Sequence, residues 1–156
     1  MKYKLTEETK VVNGHTLHRI VCATAFASVS VGDIGGWIES EKNLSQNGNA
    51  WVYGDALVYG DARVYGDARV YGNAEVCGNA RVCDNANYIV LKNSWSSGRY
   101  FTYTASNKKW KVGCFYGTGK ELIAKAYKDS KLSGKCYEAS VKYVEEIERL
   151  KKEQEK

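Results

Sequence analysis

The sequence predicts a mainly β protein, in which a short parallel β-helix of six-residue repeats precedes a small α+β unit. Seven consecutive hexapeptides occupy residues 45–86, namely SQNGNA, WVYGDA, LVYGDA, RVYGDA, RVYGNA, EVCGNA and RVCDNA. A six-residue period with small turn residues is typical of a prism of short strands, with three repeats to each coil. We expect the recurring valines to fill the interior and the alanines to fit the corners. The valines are Val52, Val58, Val64, Val70, Val76 and Val82, and the alanines are Ala56, Ala62, Ala68, Ala74, Ala80 and Ala86.

Coils of 18 residues would place each turn residue over a counterpart 18 positions later. The resulting stacks are Asn49 on Asp67 on Asn85, Asp55 on Asn73, and Asp61 on Asn79. Asp and Asn both suit tight turns, and their alternation avoids direct stacking of like charges. Because residues six positions apart lie at different corners, we interpret the aspartates as turn residues and not as a metal site.

The residues on either side of each valine are predicted to face outward. At the position before the valine, residues 18 apart share a face of the prism. Trp51, Arg69 and Asn87 lie on one face, Leu57 and Glu75 on the second, and Arg63 and Arg81 on the third. The residues after the valine are Tyr53, Tyr59, Tyr65 and Tyr71, followed by Cys77 and Cys83. A row of exposed tyrosines is typical of a surface buried against another subunit. We therefore predict a homotrimer with the prisms side by side, and a solvated amphipathic surface is the alternative.

The repeats resemble the hexapeptide-repeat family, whose coils form a left-handed parallel β-helix and usually assemble as trimers. The left hand is implied by this resemblance alone, since the general rule for parallel crossovers favours the right hand. Many members are acyltransferases that use a histidine on the β-helix as general base. This sequence has only His15 and His18, both before the repeats. We assign both histidines surface or packing roles and therefore expect that the protein is not an enzyme. The alternative is that an Asp, or Cys77 or Cys83 on the β-helix, replaces the catalytic histidine.

Residues 1–44 are predicted to cap the first end of the β-helix. Two extended runs flank Asn13-Gly14, a pattern that predicts a β-hairpin with a type I′ turn. Gly36, Ile38 and Leu44 fall in phase with the later Gly and Ala positions and indicate a degraded coil. Such a cap would cover the unpaired strand edges at the end of the prism.

Residues 45–87 are the predicted β-helix, and residues 88–156 the predicted α+β unit. In that unit YIVL (88–91), RYFTYT (99–104) and WKVGCF (110–115) predict three strands. A capping box from Thr118 to Glu121 predicts the start of a helix. Gly134 is expected to precede a second helix over residues 135–153, whose apolar stripe would pack on the sheet. The stripe comprises Tyr137, Val141, Val144, Ile147 and Leu150.

Composition limits the remaining classes of function. The sequence has no apolar run of transmembrane length, and its opening lacks the hydrophobic core of a signal peptide, so we expect a cytoplasmic protein without a membrane partner. Five scattered cysteines without a CxxC pair predict reduced thiols. Two distant histidines give no zinc-type spacing, so neither a metal nor another cofactor is expected. Residues 88–156 carry 15 of the 23 basic and 8 of the 18 acidic side chains, which would attract an anion there.

The α+β unit also interleaves aromatic and cationic residues in a way that suits a nucleotide. Aromatic rings can stack on a base, and cations with small donors can hold a phosphate, while the helix start at Thr118 favours an anion. The predicted ligand-binding residues are Trp95, Ser97, Arg99, Tyr103, Lys108, Trp110 and Lys111. The alternative is a sheet core whose aromatics pack inward while the lysines face solvent.

The layout GDIGGWIESEKNLSQNGNAWVYGDA, WSSGRYFTYT and KVGCFYGTGKELI is similar to that of small hexapeptide proteins carried by bacteriophages and mobile elements. This resemblance implies a counter-defence role in the host cytoplasm, in which a trimer sequesters a nucleotide messenger of host immunity. We therefore expect a non-catalytic homotrimer that binds a small anionic, nucleotide-like ligand. The alternatives are a structural or host-protein-inhibiting trimer and, second, a hexapeptide acyltransferase.

Overall fold

The computed structural model describes residues 1–155. Lys156, the last residue of the predicted α+β unit, lies outside them. The strands are β1 Tyr3–Val12, β2 His15–Cys22, β3 Ile34–Ile38, β4 Trp51–Val52, β5 Leu57–Val58, β6 Arg63–Val64, β7 Arg69–Val70, β8 Glu75–Val76, β9 Arg81–Val82, β10 Tyr88–Lys92, β11 Tyr100–Thr104, β12 Lys109–Val112 and β13 Phe115–Gly117. The helices are α1 Gly119–Asp129 and α2 Lys131–Gln154, and 3-10 turns occur at Glu41–Asn43 and Asn85–Asn87. Among the described residues, neither helix is long and apolar enough to cross a membrane.

The hexapeptides form a β-solenoid whose two-residue strands stack 18 positions apart. Strand β4 pairs with β7, β5 with β8 and β6 with β9, each in parallel register. The six repeat valines are buried in one continuous core, and the residue before each valine lies on the predicted face. The alanines from Ala56 to Ala80 are buried too, whereas Ala86 is exposed in the second 3-10 turn, where the repeat ends. The predicted interior and the assignment of residues to the three faces are thus confirmed. The prediction that these flanking residues face outward is wrong at Trp51, which is 1% exposed because Tyr3 and Phe26 pack on its ring, and at Cys77, which is buried beside Tyr59.

The N-terminal residues form the predicted hairpin and extend one face of the solenoid. Asn13 and Gly14 have φ values of 49° and 83°, as a type I′ turn requires. Strand β2 pairs antiparallel with β3, and β3 pairs parallel with β5. The hairpin covers Tyr59, which is only 3% exposed. The prediction of a fully exposed tyrosine row is therefore wrong at Tyr59, because a distant segment of the same chain packs on it.

The degraded coil exists, but its predicted phase is wrong by two residues. Ile38 pairs with Val58 and Leu44 with Val64, so both occupy interior positions instead of corner positions. The Ser45 N–H donates to the Val64 carbonyl, whereas the Asn49 N–H donates to the Gly66 carbonyl. The two extra residues therefore lie in the turn between Ser45 and Asn49. Beyond it, Asn49 donates to Asp67 at 3.3 Å, as the predicted stacking requires.

The C-terminal unit is a four-stranded antiparallel sheet, β10-β11-β12-β13, with both helices on one face. The third predicted strand is divided, because a turn with Gly113 at φ 56° separates β12 from β13. The Thr118–Glu121 capping box is confirmed. The second helix begins at Lys131, so the predicted break at Gly134 is wrong. A Cβ on Gly134 would overlap the Tyr127 ring, and this glycine instead permits close packing of α1 on α2.

The opposite face of the sheet covers the last coil of the solenoid. A final coil leaves strand N–H groups without a partner strand. Here the Glu75 N–H donates to Thr102 Oγ1 at 2.9 Å, and the Arg81 N–H donates to Ser106 Oγ at 2.8 Å. Side-chain oxygens thus replace the missing coil and fix the sheet against the solenoid.

Candidate functional site

A cleft of about 300 Å³ opens between the β10–β11 loop, the β12–β13 turn and the two helices. We call it the loop cleft. Its apolar floor is formed by Trp95, Phe115, Leu122, Ala126 and Tyr137, and its polar rim by Asn93, Ser96, Ser97, Arg99, Lys125, Asp129 and Ser133. An apolar pocket with a few convergent polar groups is the usual form of a small-molecule site.

The loop over residues 93–99 is held in one conformation by Asn93. The buried Asn93 side-chain oxygen accepts the N–H groups of Trp95 at 3.1 Å and Ser96 at 2.9 Å. Its backbone N–H donates to the Arg99 carbonyl at 2.8 Å, and its carbonyl accepts the Gly98 N–H at 2.9 Å. Gly98 has φ 73°, a conformation that glycine adopts without strain. The residues between the two ends are therefore preorganised along the rim.

Trp95 forms a fixed aromatic wall of the cleft. Its ring meets Tyr137 edge to face, with centroids 4.9 Å apart, and meets Phe101 at 6.3 Å. Its indole nitrogen lies 3.5 Å from Ser133 Oγ. These contacts orient a half-buried indole beside the opening.

The rim carries two cations, Arg99 and Lys125, and one carboxylate, Asp129. Within residues 1–155, none of the three has an oppositely charged partner within 4.0 Å. Burial raises the pKa of Tyr137 on the floor, and Arg99 opposes this shift while Asp129 adds to it. The charges of Arg99 and Asp129 therefore reach the interior of the cleft. Because two cations, Arg99 and Lys125, stand against one carboxylate, the rim favours an anionic ligand.

Of the seven predicted site residues, the loop cleft contains Trp95, Ser97 and Arg99. Tyr103 and Trp110 are register partners on the helix-facing side of the sheet, and both are buried in its core, Trp110 to 2% exposure. Neither ring is available for stacking without rearrangement of that core. This placement agrees with the alternative of a sheet core for these two rings.

The two predicted lysines lie elsewhere. Lys108 is exposed in the β11–β12 turn, at the end of β11 opposite Arg99. Lys111 pairs with Thr102 and therefore faces the solenoid, since side chains alternate along a strand. The start of α1 at Thr118 was predicted to favour an anion, but the Glu121 carboxylate already accepts the Thr118 N–H at 2.9 Å. None of these three residues lines the loop cleft.

The helical half of the cleft was missed by the sequence reasoning. Tyr137 was assigned to an apolar stripe, and Lys125 and Ser133 had no assigned role. The sequence feature that could have identified this half is the helix-capping pair Ser130 and Ser133, because the Ser130 hydroxyl accepts the Ser133 N–H at 3.0 Å. That spacing marks a helix start at residue 131 and places it beside the loop.

A second cleft, of about 280 Å³, lies where the hairpin, the solenoid and the sheet meet. We call it the hairpin cleft. His15 Nδ1 lies 2.9 Å from Glu39 Oε2, and Glu39 Oε1 accepts the Gly60 N–H at 2.8 Å. Burial alone would raise the pKa of Glu39, but the bonds from His15 and Gly60 outweigh it and lower the pKa. His15 therefore lies beside the solenoid, where it also contacts the Tyr59 ring.

The solenoid side of the hairpin cleft is a connected polar network. The Tyr59 hydroxyl donates to Glu75 at 3.1 Å and accepts from Asn13 at 3.2 Å. Burial raises the pKa of the Glu75 carboxyl, and the Lys111 charge opposes this shift. Burial also raises the pKa of the Cys77 thiol to about 11. The thiolate form is therefore disfavoured, which argues against Cys77 as a nucleophile.

The solenoid segment matches a described family. Residues 50–66 and 62–78 match the model of the YdcK beta solenoid repeat. A 60-residue stretch is 35% identical to a protein of Escherichia coli (strain K12) named "Uncharacterized acetyltransferase YdcK". This similarity covers 33% of the present chain and 18% of that relative. The hexapeptides are therefore β-solenoid repeats, and the similarity leaves most of both chains unmatched.

Proposed function

We propose that the protein is a non-catalytic homotrimer that captures a small anionic, nucleotide-like ligand in the loop cleft. The observation that carries this proposal is the fixed arrangement of Trp95 and Arg99 on one preorganised loop. An indole offers a stacking surface to a base, and a guanidinium offers a planar fork to a phosphate. Preorganisation favours binding, because less conformational freedom is lost when the ligand arrives.

The other groups at the rim suit the same ligand. Lys125 adds a second cation, and the Ser96 and Ser97 hydroxyls can hydrogen-bond to phosphate or sugar oxygens. The volume of about 300 Å³ lies at the small end of ordinary ligand pockets. One base with its sugar and phosphate is therefore a better fit than a long polymer.

The proposed assembly is a left-handed parallel β-helix that trimerises through its tyrosine surface. Tyr65 and Tyr71 remain 38% and 54% exposed, and Tyr71 packs edge to face on Tyr53 at 6.3 Å. Because the hairpin already covers Tyr59, the proposed contact surface is limited to these three tyrosines. In the host cytoplasm of a phage-encoded protein, such a trimer would lower the concentration of an immune signalling nucleotide by binding it without turnover.

Acyl transfer is the second candidate function. The partial relative carries acetyltransferase in its name, and the structure holds His15 beside the solenoid with its Nδ1 oriented by Glu39. An imidazole oriented in this way can act as a general base through its other nitrogen. This candidate would use the hairpin cleft and not the loop cleft.

The experiment that tests the proposal is release of a bound metabolite. The protein purified from its native host is heat-denatured, and the supernatant is analysed by mass spectrometry beside an Arg99→Ala preparation. We expect a nucleotide-like anion from the wild type and much less from the variant. If neither preparation releases an anion and no nucleotide binds in calorimetry, the structural or host-protein-inhibiting trimer replaces the proposed function.

A further inference from the structure

We propose that the hairpin cleft is a second, separate binding site, in which Lys111, Tyr116 and protonated His15 hold a small oxyanion. The cleft is enclosed by three parts of the chain that are distant in sequence. The hairpin contributes His15, the solenoid contributes Tyr59 and Gly78, and the sheet contributes Lys111 and Tyr116. It lies on the solenoid side of the sheet, whereas the loop cleft lies on the helix side.

The first observation is the state of Lys111. This residue is only 7% exposed, yet it lines the cleft. Across residues 1–155, its ammonium has no hydrogen-bond acceptor within 3.5 Å and no carboxylate within 4.0 Å. The stem of Lys111 is buried, but its ammonium still reaches the solvent of the cleft. An anion in the cleft would supply the missing partner.

The second observation is that the nearby carboxylates are already engaged. Glu39 accepts from His15 and from the Gly60 N–H. Asp61 forms an ion pair with Lys42 at 3.0 Å. Glu75 accepts from the Tyr59 hydroxyl; burial raises the pKa of its carboxyl, and the Lys111 charge opposes that shift. Lys111 is therefore left without a dedicated counter-ion.

The third observation is that a hydroxyl donor stands beside Lys111. Tyr116 is its register partner in the sheet. The Tyr116 oxygen accepts from Asn107 at 2.9 Å, so its own proton is free to donate. A Cβ on Gly78 would overlap the Tyr116 ring, and the phenol is thus held against the solenoid backbone.

His15 supplies a donor that depends on pH. Its Nδ1–H donates to Glu39, so its Nε2 can donate to an anion only when the ring is protonated. The charged or titratable groups facing it are Glu39 from the end of β3, Tyr59, Asp61 and Cys77 from the solenoid, and Lys111 and Tyr116 from the sheet. Because the bound anion favours the imidazolium, we expect tighter binding at lower pH.

Two sources share this chemistry, namely a phosphate group and a carboxylate. Both present oxygens that accept from an ammonium and a hydroxyl. The volume of about 280 Å³ suits a small molecule. Inorganic phosphate and acetate are therefore the two probes, and each is tested separately.

The test uses the two histidines of the chain as NMR reporters. His15 faces the cleft, whereas His18 Nδ1 lies 3.1 Å from the Thr6 carbonyl and provides the internal reference. On titration with phosphate or acetate at pH 6, the His15 ring signals should shift to saturation. His18 should change much less. Saturation with one probe alone identifies that oxyanion, and absence of saturation with both overturns the proposal.

Two lysine variants separate a specific site from general charge. Lys111→Met should weaken binding by about ten-fold or more, because it removes a hydrogen bond to a charged group. Lys108→Met removes the same charge from the exposed turn of the same sheet, and it should bind within about two-fold of the wild type. Equal effects of the two changes would contradict a specific site. If Lys111→Met raises the melting temperature and leaves the titration unchanged, Lys111 serves only as a loose partner of Glu75, and the proposal is wrong.

A third variant covers the case in which Lys111→Met does not fold, as judged by circular dichroism. Tyr116→Phe keeps the ring against Gly78 and removes only the hydroxyl. It should weaken binding several-fold while the His15 signals still respond. If Tyr116→Phe saturates at the same anion concentration as the wild type, the hydroxyl takes no part in binding and the proposed site is wrong.

Discussion

The backbone N–H of Asn93 donates to the carbonyl of Arg99 at 2.8 Å, which ties the two ends of the β10–β11 loop together. The arginine therefore leaves the loop from a fixed point at the start of β11. Its guanidinium lies against the backbone of Gly113, where a Cβ would overlap it. The position of Arg99 is thus fixed by contacts of the backbone, and truncation of its side chain can remove the charge without breaking the bonds that hold the loop.

The first prediction follows from that separation. Arg99→Ala should weaken nucleotide binding by about 1.5–3 kcal/mol, the range for a hydrogen bond to a charged group, and should leave assembly unchanged. Isothermal titration calorimetry against a panel of cyclic and linear nucleotides measures this loss. Affinity should also fall as salt rises. Arg63→Ala, an exposed arginine on the third solenoid face, is the matched control and should bind as the wild type does. Equal affinity of the Arg99 and Arg63 variants would place the ligand elsewhere.

The second prediction concerns the junction between solenoid and sheet. Thr102→Val keeps the shape of a buried side chain but leaves the Glu75 N–H without its acceptor. An unsatisfied buried donor costs about 1–3 kcal/mol, so the free energy of unfolding in urea should fall by that amount. Thr16→Val makes the same change at an exposed position of β2 and should alter stability much less. A similar loss in both variants would mean that the Thr102 hydroxyl has no special role in closing the solenoid.

The solenoid could be predicted from sequence because its information is local. Each hexapeptide repeats the same interior valine and the same turn, so the faces of Leu57 and Glu75 follow from counting. The burial of Tyr59 could not be predicted in this way. It depends on the docking of residues 3–22, and no repeat encodes that contact.

The candidate sites were harder to predict because they depend on breaks in regular structure. A strand over 110–115 was predicted without its turn at Gly113, so the faces of Trp110 and Lys111 remained undecided. Gly134 was interpreted as a helix break on grounds of propensity. Its real role is close packing against Tyr127, and the misplaced start of α2 hid Ser133 and Lys125 from the predicted site.

The third prediction concerns assembly. The paired change Tyr65→Lys and Tyr71→Lys should dissociate the proposed trimer, because it places charge in a surface that should be buried between subunits. Multi-angle light scattering at micromolar concentration measures the mass. Tyr143→Lys, on α2 and as exposed as Tyr71 at 54%, should leave the mass unchanged. A wild-type monomer in this measurement would exclude the trimer.

Tyr59→Lys should have a different effect from the Tyr65 and Tyr71 changes. Tyr59 is buried beneath the hairpin and bonded to both Asn13 and Glu75. A lysine there would lose both bonds and bury a charge, so we expect lower thermal stability even where the mass is unchanged.

The last prediction addresses catalysis. Acetyl-coenzyme A mixed with amine or hydroxyl acceptors should release no thiol above background. The hairpin cleft, of about 280 Å³, is small for a pocket that must hold an acyl thioester and an acceptor together, and the Cys77 thiol is held in its protonated form by burial. His15→Ala and His18→Ala form the matched pair for this assay. Thiol release that is abolished by His15→Ala and retained in His18→Ala would instead establish the His15–Glu39 pair as a general base, because His15 Nδ1 lies 2.9 Å from the Glu39 carboxylate, whereas His18 Nδ1 lies beside the Thr6 carbonyl.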